Sequence, residues 1–143
     1  MVPEKIQLEI VTPERVVLSE AVDELILPGT QGYLGVRPGH APLLTTLQVG
    51  SILIAKGNEK RFLAVSWGFA EVLPDRVAIL AETAERAEEI DLVRAQRARE
   101  RAEERLKKPD PNTDFRRAQV ALEKALIRIQ VASRAGAASR GEI

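Results

Sequence analysis

Hydrophobic residues change their period once along this chain of 143 residues. From residue 6 to about residue 82 they come in short runs rich in Val, Ile and Leu, broken by Gly, Pro, Asn and Asp, which is strand patterning. Ile6, Leu8 and Ile10 alternate with Gln7 and Glu9, so this run buries one face and wets the other. Further strands are expected around 16–20, 22–27, 33–37, 41–46, 51–56, 61–65, 69–73 and 76–82. Gly57-Asn58 and Pro74-Asp75 carry the turn chemistry that closes hairpins between such runs. About nine or ten strands in roughly 80 residues predict a sandwich or flattened barrel.

At 83–89 the text turns to Ala, Glu and Arg, strong helix formers. A helix is expected over 90–106, and the run KKPDPNT at 107–113, with its two prolines, must end it. A second helix is expected over 114–135, with Thr113 or Asp114 as N-cap, and a frayed tail from Gly136. Ala95, Ala98, Ala102 and Leu106 form one apolar stripe, and Phe115, Ala118, Leu122, Ala125, Ile129 and Ala132 form another. A short connector makes these an antiparallel hairpin. Its seam is mostly alanine, and at about 0.8 kcal/mol per buried methylene it should be weakly held. The fold class is therefore α+β with segregated parts: an antiparallel β-sandwich of about ten strands over 1–86, then a two-helix hairpin over 87–143.

Composition fits a soluble globular chain, with 45% apolar and 29% charged residues. No run approaches the roughly 20 apolar residues of a membrane span, and the first residues lack the pattern of an export signal. The absence of cysteine removes disulfides, thiol nucleophiles and Cys-bound metals, and suits the cytoplasm. Net charge is zero, so no global field points to nucleic acid. The sign divides along the chain: residues 1–86 hold 8 basic against 11 acidic side chains, and 87–143 hold 13 against 10.

Catalytic chemistry has no visible residues. The segment LPGTQGYLGVRPGHAPLLTTLQVG is rich in glycine but lacks the lysine and hydroxyl of a phosphate loop. Gly29, Gly32, Gly35 and Gly39 are read as permitting tight turns and close strand approach. His40, the single histidine, is read as ordering a turn, and Trp67 as a core or subunit-interface residue. No carboxylate pair stands out as an acid/base couple. The helices are more informative: Arg94, Arg97, Arg101, Arg105 and Lys108 form a basic stripe on the first, and Arg117, Lys124 and Arg128 one on the second. A solvated face is the plain reading, since Glu100, Glu103 and Glu104 lie within pairing distance. Two basic stripes flanking one seam would nevertheless repel unless something anionic lay between them.

Three segments, GYLGVRPGHAPLLTTLQVG, VSWGFAEVLPDRVAILAETAE and IDLVRAQRARERAEERL, resemble in order and spacing the epsilon subunits of bacterial F-type ATP synthases. The resemblance implies a ten-stranded sandwich that binds the gamma subunit of the central stalk and rests on the ring of membrane c subunits, at the cytoplasmic face of the membrane. It implies no active site and no required cofactor. The role implied is rotation coupling between proton flow and the catalytic head, with restraint of ATP hydrolysis by the hairpin. In the compact state the hairpin lies on the sandwich; in the extended one it reaches acidic segments of the catalytic head.

Some bacterial members bind regulatory ATP through a motif that Ile90, Asp91, Arg94 and Ala95 match here, with Glu85, Arg101 and Arg128 at further contact positions. Lys124 stands where the family has arginine, which keeps the charge and loses the planar fork. The resemblance also places the loop of Gly29 and Gly32, with Tyr33 at its tip, against the c ring. Two other classes remain as expectations to be weighed: a free-standing nucleotide sensor, and a β-sandwich enzyme whose catalytic pair is not visible.

Overall fold

The computed structural model describes residues 2–108 and 110–139, with side chains through residue 134. Eight strands come first: β1 (Ile6–Val11), β2 (Val16–Val22), β3 (Glu24–Gly29), β4 (Gly32–Val36), β5 (Leu43–Leu47), β6 (Gly50–Lys56), β7 (Glu59–Val72) and β8 (Arg76–Arg86). A 3-10 turn at Ala87–Glu89 leads to α1 (Leu92–Lys107) and α2 (Phe115–Ser139). β1 pairs antiparallel with β2 and parallel with β8, and β8 pairs antiparallel with β7. β7 then pairs with both β5 and β6, and β3 with β4, β6 and, at Gly29, β5. The result is a β-sandwich followed by a helical hairpin.

One kink makes the two layers. In β7 the core-facing residues are Leu63 and Val65 before residue 67 but Ala70 and Val72 after it, so the buried parity reverses. β8 reverses at the same level, from Val77, Ile79 and Ala81 to Ala84, while the register of the pair holds from Ser66↔Thr83 to Gly68↔Ala81. Trp67 and Gly68 absorb the turn-over with φ of 46° and 133°. A side chain at Gly68 is excluded, because its Cβ would lie 2.0 Å from the Leu80 carbonyl oxygen. Residues 59–65 thereby join β6 and residues 68–72 join β5. The two strands expected at 61–65 and 69–73 are thus one bent strand, and about ten expected strands are eight described ones, two of which serve both layers. Alternation alone reads a parity reversal as a break.

Other departures have local causes. β8 runs past the expected stop at 82 because its second half continues beside β7. At Gly35 a Cβ would meet open space, so close approach does not require glycine there. The Asp91 carboxylate accepts a hydrogen bond from the Arg94 N–H at 3.1 Å and caps α1, which begins at Leu92 rather than at residue 90. Asp114 does the same for the Arg117 N–H at 3.0 Å. α2 remains helical to Ser139, past the expected stop at 135; the rest of the expected tail, 140–143, lies outside the described residues.

Ala95 and Ala102 of α1 and Ala118 and Ala125 of α2 are buried in the hairpin, as the stripes predict. Phe115 is the exception, half exposed as the first residue of α2, where α1 has already given way to the loop. A second apolar face of α2 was not foreseen. Ile127 and Val131 pack into a small cluster with Phe62, Ala64 and Ala87, joined by Leu53 and Ile90, and this seats α2 on β7.

Candidate functional site: the cleft under the second helix

Between α2 and the upper half of the β7/β8 ribbon lies a cleft of about 310 Å³, at the low end for ligand sites. Ser66, Thr83 and Glu85 line it from the sandwich, Ala98 from α1, and Lys124 and Arg128 from α2. The helical spacing of 121, 124, 125 and 128 puts these α2 residues on one face. The Arg128 guanidinium grips Glu85: Nε lies 2.8 Å from one carboxylate oxygen and Nη2 donates to the other at 3.1 Å. Lys124 Nζ stands 4.4 Å above the centre of the Trp67 ring, a cation–π contact. Ser66 and Thr83 hydroxyls are 2.6 Å apart and satisfy each other across the strands. Such a cleft can hold an anion. It offers no nucleophile paired with a base, and among the described residues no cluster of three His, Cys, Asp or Glu side chains could hold a metal.

The residues expected at a nucleotide site divide. Glu85, Lys124 and Arg128 meet in the cleft. Ile90 belongs to the cluster under Val131, Ala95 is buried in the helical seam, and Asp91 is occupied as the α1 cap. The Arg94 side chain is exposed, and Arg101 lines a separate hollow of about 290 Å³ at the far end of the hairpin with Glu104, Arg105, Lys108, Asp110 and Thr113. Arg97, Arg105 and Lys108 of the first basic stripe are exposed as well.

The β3–β4 hairpin turns at Thr30 and Gln31, between the paired Gly29 and Gly32. Tyr33 is therefore not at the tip but one residue into β4, where its hydroxyl accepts a hydrogen bond from the Ser51 N–H at 3.2 Å. Its ring still leaves more than half its surface exposed. His40 orders its turn, with Nδ1 2.7 Å from the Ala41 carbonyl. Trp67 is neither core nor fully exposed; it is the floor on which Lys124 rests.

Two features were missed. Glu89 ties the linker down: one oxygen takes a hydrogen bond from the Arg86 N–H at 3.1 Å and the other from Arg15 at 2.7 Å. Burial raises the Glu89 pKa, but these hydrogen bonds and the charges of Arg15 and Arg86 outweigh it and hold the carboxyl below its ordinary value. The other is an apolar row on the outer face of the kinked ribbon's lower half. Val16, Val11, Leu80, Phe69 and Thr46 are successive cross-strand partners over β2, β1, β8, β7 and β5, and Val16, Leu80 and Phe69 are about half exposed. Leu44, 69% exposed, extends the patch along β5. The sequence signal was a leucine or phenylalanine on the outward parity of its strand.

Comparison with known proteins adds to this geometry. Residues 5–87 match the family described as ATP synthase, Delta/Epsilon chain, beta-sandwich domain, and residues 88–133 match ATP synthase, Delta/Epsilon chain, long alpha-helix domain. The chain is 52% identical over 134 residues to ATP synthase epsilon chain 2 of Syntrophotalea carbinolica, covering 93% of this chain and 97% of that one. It is also 52% identical to the ATP synthase epsilon chain of Syntrophobacter fumaroxidans, over 92% of this chain and 98% of the relative. A chain in the cryo-EM structure of the Euglena gracilis mitochondrial ATP synthase, OSCP/F1/c-ring in rotational state 1, superposes with a TM-score of 0.78 at 25% identity, covering 95% of this chain and 83% of that one.

Proposed function

The chain belongs to the ATP synthase delta/epsilon family, and from that premise we propose that it is the central-stalk subunit that joins gamma to the c-subunit ring and carries rotation between the membrane and the catalytic head. The observation that carries this reading is the outer apolar row of Leu44, Phe69 and Leu80, a contiguous patch of the kind that a protein partner covers. Gamma is assigned to that face, and the chain contributes no catalytic residue of its own. The β3–β4 turn, Gly29 to Gly32 with Tyr33 beside it, is assigned to the c ring. Association is peripheral, at the cytoplasmic face of the membrane; no described helix is long and apolar enough to cross one. Phe69→Asp should abolish recovery of gamma in a pull-down from assembled synthase, while Tyr33→Ala leaves gamma bound and weakens retention of the ring. Gamma recovered undiminished with Phe69→Asp would remove this assignment.

Regulation falls to the hairpin. The exposed cations Arg94, Arg97, Arg101 and Arg105 of α1, with Lys108 just past its end, suit an acidic surface of the catalytic head when the hairpin extends. ATP is the regulatory ligand that the cleft suits in the compact state. Lys124 and Arg128 would take phosphates, Glu85 would orient Arg128, and Arg94 and Arg101 would have to swing in from their exposed positions. Calorimetry on the full chain tests this part: Arg128→Ala should lose the heat of ATP binding and Lys124→Arg should gain affinity, whereas no heat at millimolar ATP in any variant would leave the hairpin as a docking arm alone.

A further inference from the structure

The repulsion expected between the basic stripes depends on a missing counter-charge, and for two cations of the second stripe the chain itself supplies a partner. Arg128 is neutralised by Glu85, Lys124 lies on the Trp67 ring, and Arg134 stands 5.5 Å from the centre of the Phe62 ring. All three partners belong to β7 and β8, and all three cations to the one face of α2 that also carries Ile127 and Val131. Trp67 can serve as a floor because the kink holds it at φ 46°, out of the alternation that would send it to either face.

We propose that these contacts form a ligand-independent latch that keeps the hairpin seated on the sandwich without nucleotide, with Lys124 on Trp67 and Arg128 on Glu85 as its two clasps. An anion entering the cleft then competes with Glu85 for Arg128 and with the ring for Lys124, and so adds less closure than it would to free cations. Lysine at position 124 serves the ring as a compact cation: its ammonium stands over the aromatic face, where the ring quadrupole attracts it. The latch stands whether or not the cleft binds ATP, because each clasp has both its partners within the chain.

The test uses the full chain, which has no cysteine of its own, with spin labels on Glu71→Cys and Gln119→Cys, both exposed positions. Distances are measured in nucleotide-free buffer. The latch predicts one short distance in the otherwise unaltered chain, and a second, longer population when Glu85→Gln and Lys124→Met are combined, with helical circular dichroism unchanged. Exchanging the pair, Glu85→Arg with Arg128→Glu, should keep the short distance, which a merely damaged seat would not. A long distance in the unaltered chain that shortens only on adding ATP would overturn the proposal. So would a double variant as closed as its parent.

Discussion

Sandwich and hairpin are built from different amounts of the same material. The largest fully buried side chains, among them Ile6, Leu8, Leu25, Ile54, Leu63 and Ile79, all lie in the sandwich, whereas the hairpin buries Ala95, Ala102, Ala118, Ala125 and Val131. Burial stabilises in proportion to apolar area. The first part is therefore expected to fold without the second, which holds its place through a small seat and a few charged contacts. For a subunit proposed to stay bound to the stalk while one arm changes position, that difference separates a fixed platform from a movable arm.

The comparison is best attacked first where the sandwich is least tolerant. Gly68→Ala sets a Cβ against the Leu80 carbonyl at a φ that side chains rarely adopt, and should prevent the sandwich from reaching its native fold, seen as loss of the cooperative thermal transition. Leu8→Ala, fully buried, should cost about 2–5 kcal/mol in denaturant unfolding. Val131→Ala should cost the hairpin seat about 1–2 kcal/mol, at roughly 0.8 kcal/mol per methylene, while leaving the sandwich transition where it was. A Val131→Ala effect that appeared equally in the strands would mean the two parts unfold as one.

The smallest effect expected is in acid. Glu89 has a folded pKa below its unfolded one, so its contribution is fully present above the ordinary carboxylate range and is lost as the pH falls through the folded value. Its carboxylate is about one-third exposed, so solvent screening keeps the contribution below about 1 kcal/mol. Comparing Glu89→Gln with its parent, the fraction of seated hairpin should differ at neutral pH and converge only as the pH falls below the ordinary carboxylate range.

What the sequence made legible follows from range. β1 was legible because its alternation is local and unbroken, and the seam alanines because helical spacing repeats within one element. The kink was not, since a parity reversal at Trp67 and Gly68 imitates a turn between two strands. Ile127 and Val131 were obscured by the seam stripe that shares their helix. At the cleft, the resemblance singled out Glu85, Lys124 and Arg128, but their state depends on partners far away in the chain. Arg128 and Glu85 are 43 residues apart, and nothing local in either could tell that they already satisfy one another. Resemblance chose the residues; only the packing shows which of them are occupied.

Amide hydrogen exchange on the full chain is the most direct measure of the central claim that a stable platform carries a loosely seated arm. The account predicts that amides of α1 and α2 exchange through an opening far below the global unfolding free energy, while those of Leu63, Val65, Ala70 and Ile79 exchange only with global unfolding. Equal protection across α2 and the core of β7 would contradict it, and would make the molecule one cooperative body with no arm to release.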